Sequence, residues 1–439
     1  MVIRWKKEIL GLLLGDLLCM VIALALTLFM RYYGDPHADY LIPIHILPFS
    51  IIFVISLVVF FIAGLYDKQT NALKRKLFTL ILTAEIANLI LAVIFFYFLA
   101  FVAITPKTNL FLYSSFSCSL ILLWRIFIAD WLRMSRIENV LFVGDSSELV
   151  ELRNEINKNS GYRMAGILVP NFSSPIFKDV PNKIVTIVTD LRKIGREHLS
   201  EFALSSYLFS QVKFIDFRDL YEEVFDRVPL STIYEGWFLE NVSSERKLMY
   251  DFLKRLMDLL IAFILGLATL PLYPFIALAI KLEDAGSIFI FQDRIGTGNH
   301  TMRIVKFRSM RISDTGKWLT KNDRRITYVG KIIRKMRIDE LPQLWNVLKG
   351  DISLIGPRPD IIDLIEQLKS SIPYYSLRNI IKSGLSGWAQ IHQELPPQSF
   401  EETKLRLGYD FFYLKNRSFM LDLEIALKTI KTLLSRGGI

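Results

Sequence analysis

Two adjacent carboxylates lie in the most chemically loaded stretch of the sequence, Arg337-Ile338-Asp339-Glu340-Leu341-Pro342-Gln343-Leu344-Trp345. Leu341, Leu344, Trp345 and Leu348 keep helical spacing, and proline is tolerated in a helix only in the first turn, so a helix is predicted to start near Asp339. The dipole at that N-terminus favours ionised carboxylates and keeps at least one available as nucleophile or metal ligand. An isolated Asp-Glu there would be ordinary capping by Asp339. Its surroundings argue for more. Residues 281–358 hold 16 Lys/Arg against 8 Asp/Glu, and the cations alternate with glycines, prolines and a few carboxylates. They include Arg294, Lys306, Arg308, Arg325 beside Arg324 and Asp323, Arg334 beside Lys335, and Arg358 in a Gly-Pro-Arg-Pro run. Binding of anionic lipid would account for the total but not for this arrangement. Arginine forks suit phosphate oxygens and rigid turns fix where they point, so these cations, with Gln343, are candidates for a diphosphate pocket. Carboxylates beside phosphate call for Mg²⁺, held by one or both of Asp339 and Glu340 together with substrate oxygens. Cysteine and histidine offer no rival: Cys19 and Cys118 fall in apolar runs, and His300 and His392 lie in no ligand or triad pattern.

The elements around this chemistry follow from an apolar composition. The 439 residues are 52% hydrophobic and 22% charged, with a mean hydropathy of +0.35 and a net charge of +10. Disorder, collagen-like repeats and a secreted disulfide scaffold are excluded, and a membrane protein is expected. Four stretches of spanning length, 9–30, 41–66, 77–104 and 110–128, form a four-helix membrane bundle over residues 1–138. The first is too long for a signal peptide and lacks a cleavage site. Arg4, Lys6 and Lys7 precede it, Lys68, Lys74, Arg75 and Lys76 separate the second and third, and Arg133 and Arg136 follow the fourth. The positive-inside rule then places the N-terminus and everything after the fourth span in the cytoplasm. Asp16, Glu85 and Arg125 fall within spans, where an interhelical ion pair is the expected use and a lipid or ion pathway the rival one.

Strand-like runs at 139–144, 163–169, 183–188 and 212–217, with a helix-compatible stretch from Ser147, predict a cytoplasmic Rossmann-like α/β domain over 139–245. Its first turn has one glycine, Gly144, beside Asp145 and Glu148, which would repel phosphate; a structural or regulatory role is expected, not a dinucleotide site. Residues 246–439 form a third, α-rich mixed domain opening on the apolar run 256–280. Pro271 and Pro274 break that run and both its flanks are basic, so a re-entrant helix hairpin over 252–282 is expected in place of a fifth span. Irregular backbone at that depth must pack against protein or bond locally.

From Lys254 onward the chain resembles the bacterial sugar transferase family, the monotopic polyprenyl-phosphate glycosyl-1-phosphate transferases. The resemblance rests on Lys254-Arg255 with Asp258, the break at Pro271 and Pro274, KFRSM at 306–310 and DELPQLWNVLKGD at 339–351. It continues with GPRP at 356–359, GWAQ at 387–390, Tyr409-Asp410 and Asp422. The spans and α/β domain ahead of it resemble long-form members that prime exopolysaccharide, capsule or O-antigen synthesis. The resemblance implies transfer of a hexose-1-phosphate from a UDP-sugar to polyprenyl (undecaprenyl) phosphate at the bacterial inner membrane, with UMP released. It makes Asp339 the covalent nucleophile, Glu340 the Mg²⁺ ligand, and Arg358, Asp410 and Asp422 further functional positions. It brings membrane lipid as a partner and no nucleic acid, while four spans with no evident transport path leave room for a homodimer. Where many members continue past GWAQ with a short Gly-containing turn, this chain has Ile391-His392-Gln393-Glu394-Leu395-Pro396-Pro397, a loop that could shape the sugar pocket. A Gly-Pro usual near 286–287 is here Gly286-Ser287. Two rival readings stay open: a membrane glycosyltransferase releasing UDP, and a non-enzymatic assembly or regulatory subunit of polysaccharide export.

Overall fold

Four helices, apolar on every side, open the chain: α1 (Val2–Tyr32), α2 (Ala38–Ala63), α3 (Lys74–Phe98) and α4 (Lys107–Leu123), the last running into a π-turn, Trp124–Ile128. Each is long and apolar enough to cross a bilayer. Met20, Phe49, Phe60, Ile81 and Ile121 are buried in one shared core, whereas Leu14, Phe29, Val54, Ile86 and Val93 point outward. Of the three charges within the spans, two pair as expected. Asp16 accepts from Arg125 Nε (2.9 Å) and from the Tyr66 hydroxyl (2.8 Å), and Arg125 Nη1 donates to the Leu65 carbonyl (3.1 Å). Glu85 accepts from Ser117 Oγ instead (3.1 Å).

The computed structural model describes residues 2–66, 74–98, 107–128, 138–158, 164–169, 184–194, 213–242, 247–311, 325–393 and 396–435. Lys68, Arg133, Arg136, Asp323, Arg324, Glu394 and Leu395, like residues 99–104 of the third expected span, lie outside them. The chain divides into two compact units, Met1–Val224 and Phe225–Ile439. Besides the four helices, the first holds β1 (Glu138–Val143), α5 (Ser147–Lys158), β2 (Met164–Val169), β3 (Ile184–Thr189) and β4 (Lys213–Asp216). The strands form a parallel sheet in the order β2-β1-β3-β4, the arrangement expected of strands joined by helical crossovers. Val140, Leu141 and Phe142 of the inner strand β1 are buried, and α5 adds Leu149, Leu152 and Ile156 to the core.

In the second unit, α7 (Leu248–Thr269) and α8 (Tyr273–Asp284) follow α6 (Phe217–Phe225), which ends where the unit begins. The predicted proline break is a single 3₁₀ turn, Leu270–Leu272. Between the two ends lies an exposed apolar surface that includes Phe263, Leu267, Phe275 and Leu278. The ends themselves are bonded to the rest of the unit. Lys254 Nζ donates to Asp422 (2.9 Å), Arg255 to the Val347 and Leu348 carbonyls (both 2.8 Å), and Asp258 accepts from Ser353 Oγ (3.0 Å) and Leu354 N (2.9 Å). At the far end, Glu283 accepts from Tyr328 N (2.6 Å) and Val329 N (2.9 Å). Those two amides open α9 (Tyr328–Lys335).

The scaffold of the cleft is small. β5 (Phe289–Ile295) and β6 (Thr301–Phe307) are antiparallel, with Ile290 opposite Lys306. Beyond α9 come a 3₁₀ turn (Ile338–Glu340), α10 (Gln343–Lys349) and β7 (Ser353–Ile355). The short β8 (Asp360–Ile361) pairs with β5, and β7 runs parallel to β9 (Gly384–Ser386). Two helices, α11 (Phe400–Asn416) and α12 (Phe419–Ser435), close the unit. Its core joins Trp237 and Phe238, upstream of α7, to Phe411 of α11.

Candidate active site

The acidic pair is presented by a reversal. Arg337 adopts a left-handed conformation (φ 53°), and its carbonyl accepts the Glu340 N–H at 3.2 Å. The helix expected to start near Asp339 begins instead at Gln343, and the pair occupies the 3₁₀ turn. One tight turn fits between the reversal and Pro342, which has no N–H with which to extend an α-helical ladder back through the pair. Leu344 is buried as its spacing predicts, whereas Trp345 is 68% exposed.

The two carboxylates then have different fates. Glu340 is buried, and its Oε1 accepts from Arg358 Nη2 at 2.5 Å, with Arg337 Nη1 3.8 Å from Oε2. Burial alone would raise its pKa, but Arg358 and Lys306 outweigh it and hold the carboxyl well below the usual range. Among the described residues, Asp339 has no hydrogen-bond or ion-pair partner. Burial, then the neighbouring Glu340 charge, push its pKa up, against the pull of Lys306 and Arg334. Removal from water also lowers the Lys306 ammonium to about 8. One acid is pinned and ionised; the other is unpaired.

Both face a cleft of about 250 Å³. Arg294, Lys306, Arg334 and Arg358 line it beside the pair, and Pro396, Pro397, Gln398, Thr403 and Arg406 also contribute. Of the other sequence candidates, Arg308, Arg325 and Gln343 do not line it. β6 ends at Phe307, so Arg308 leaves the pleat that aims Lys306 inward and lies over Gly286, where a Cβ would come within 1.5 Å of its Nη1. Gln343 is buried in α10 with its Nε2 unpaired, and Arg325 bonds through its carbonyl to Arg311 N (2.9 Å). Asp258 and Asp422 anchor α7 as described, and Pro271 and Pro274 flank the break. Asp410 stands behind the site. It takes Arg378 (2.7 Å), which also binds Asp360 (2.5 Å) and the Arg358 carbonyl (3.0 Å) and so fixes the turn that carries Arg358. Arg378, only 1% exposed, Asp360 and Arg406 carried no signal in the sequence, because they meet their partners only through the fold.

The donor set suits a hard cation. Asp339 and Glu340 Oε2, with only a long Arg contact, offer oxygens, and among the described residues no group of three or more His, Cys, Asp or Glu could enclose a metal. Such a pair fits Mg²⁺ whose remaining ligands are phosphate oxygens and water.

The second unit thus combines a cleft lined by cations and an acidic pair with a broken apolar helix long enough to cross a bilayer. Residues 249–436 match the family described as bacterial sugar transferase. Over 255 residues the chain is 38% identical to the UDP-N-acetylgalactosamine-undecaprenyl-phosphate N-acetylgalactosaminephosphotransferase of Aeromonas hydrophila, covering 57% of this chain and 59% of that protein. It is 36% identical over 182 residues to the UDP-glucose:undecaprenyl-phosphate glucose-1-phosphate transferase of Escherichia coli (strain K12), covering 40% and 39%. A like-named protein of Caulobacter vibrioides (strain ATCC 19089 / CIP 103742 / CB 15) is 38% identical over 189 residues, 42% of this chain and 71% of that one. The chain belongs to the bacterial sugar transferase family. Its matches span less than two thirds of the Aeromonas and Escherichia proteins.

Proposed function

We propose that the protein transfers a sugar-1-phosphate from a UDP-sugar to polyprenyl phosphate in two steps. The observation that carries this reading is the contrast within the pair: Glu340 locked to Arg358, and Asp339 unpaired at the edge of a cationic cleft. In the first step a carboxylate oxygen of Asp339 bonds to the sugar-bearing phosphorus, the bond from that phosphorus to the bridging oxygen breaks, and UMP departs with the electron pair. In the second, an oxygen of polyprenyl phosphate attacks the same phosphorus and frees Asp339. Lys306, Arg294 and Arg334 neutralise the phosphate under attack, and Glu340 holds Arg358 over it. Mg²⁺, held by Glu340 and Asp339, would supply Lewis-acid charge neutralisation. The names of the relatives, which couple a UDP-sugar to undecaprenyl phosphate, support the choice of donor and acceptor. A sugar-phosphate adduct that survives denaturation of the wild-type protein and is absent from Asp339→Asn is the test; release of UDP in place of UMP would favour the direct glycosyltransferase.

The acceptor sets the location. We read α1–α4 as a transmembrane bundle with both of its ends in the cytoplasm, and α7–α8 as a re-entrant element in the inner leaflet. The bonds made at both ends of the broken helix to one and the same unit support this, since a spanning helix would part them. Cysteines at Lys247 and Leu282 should both be labelled from the cytoplasmic side alone.

A further inference from the structure

The cleft has a second cationic wall that the steps above leave unused. On α11, Thr403 and Arg406 share a face at i,i+3 spacing, and both line the cleft. Among the described residues Arg406 has one hydrogen-bond partner, the side-chain carbonyl of Gln393 (Nε to Oε1, 3.2 Å), and no carboxylate within ion-pair distance. Asp410, the acid that acts on it most strongly, is already held by Arg378. Burial lowers the Arg406 pKa to about 10. Half-buried on the cleft wall and without a carboxylate of its own, that guanidinium is placed to take an anionic ligand.

Its placement is also enforced. Gln393 Nε2 donates to the Glu402 carbonyl (2.9 Å), which turns the amide oxygen toward Arg406. Ser399 Oγ accepts from Glu402 N (3.2 Å) and Glu402 Oε2 from Gln398 N (2.6 Å), a reciprocal cap that fixes the entry to α11. Arg406 and Asp339 line the same cleft from different elements, α11 and the 3₁₀ turn, and Arg358 lines it as well, bonded to Glu340 through its side chain.

We propose that Arg406 binds the phosphate that departs with the nucleoside, with Gln393 as its positioning residue. This rests on the transfer reading above. In an in-line displacement the departing oxygen leaves opposite the attacking one, and with Asp339 at one position the other falls to Arg406. As the bridging oxygen takes the electron pair from the broken P–O bond, Arg406 meets the charge that collects on the leaving phosphate; no proton is needed. Rapid-quench measurement on the full-length protein, with UDP-glucose and UDP-N-acetylgalactosamine as donors, separates the steps: UMP formation without acceptor, then chase of the adduct with undecaprenyl phosphate. Arg406→Gln should slow UMP formation about 100-fold and leave the chase rate unchanged, with Arg406→Lys recovering part of the loss. Equal slowing of both steps, or an undiminished rate of UMP formation in Arg406→Gln, overturns the proposal. Wild-type protein releasing UDP would instead overturn the transfer reading itself.

Discussion

At the scale of single residues, the division of labour within the acidic pair makes firm demands. Asp339→Asn should abolish the adduct and reduce turnover by about 10³-fold or more, read as UMP release. The raised pKa of Asp339 sets the sign of the pH response. In the proposed two-step transfer the attacking form is the carboxylate, so the rate of the first step should fall as pH drops through a value above the ordinary carboxylate range. Glu340→Gln removes one cause of that elevation, the neighbouring charge, and should move the acid limb to lower pH in a stopped-time UMP assay while raising the Mg²⁺ concentration needed. Asp339, Glu340, Lys306 and Arg358 were legible as candidates because an adjacent acidic pair stands out within a block of cations interleaved with glycines and prolines, and all four line the cleft. Arg308 and Gln343 were not, since composition cannot say where a strand ends or which side of a short helix meets the cleft. Arg378 and Asp410 meet across 32 residues of chain, and no local pattern announces that contact.

Elements respond through their anchors. Asp258 accepts two hydrogen bonds from the β7 strand and is buried, so Asp258→Ala strands a backbone N–H and should cost about 1–3 kcal/mol, read as a lower midpoint of thermal unfolding. The Asp16–Arg125 pair is almost wholly enclosed, and Asp16→Asn leaves an uncompensated cation between helices; the expected loss is about 3–5 kcal/mol, seen as reduced yield of folded protein in detergent. The four apolar helices and the parallel strands were readable from length and periodicity, which survive in any context. The turn carrying the acidic pair was not: its 3₁₀ form depends on the left-handed reversal at Arg337, and nothing in the residue type of an arginine requires one.

For the whole molecule, the division at Val224 and Phe225 has a practical meaning. Val228, Trp237 and Phe238 belong to the core of the second unit, so a fragment starting at residue 225 should fold, whereas one starting at 246 loses that layer and should aggregate on expression. The composition revealed a membrane protein with a cationic block, but not that the segment ahead of α7 packs beneath α11, because that contact lies far along the chain. The clamps on α7 carry one more implication. Arg255 grips the end of the helix that follows the acidic turn, and Asp258 the strand that leads to Arg358, so the apolar rod is bonded directly to elements that carry the cleft. If that rod lies in the inner leaflet, acyl-chain length becomes an input to catalysis: in nanodiscs graded from thin to thick, turnover should peak at one thickness and decline on either side.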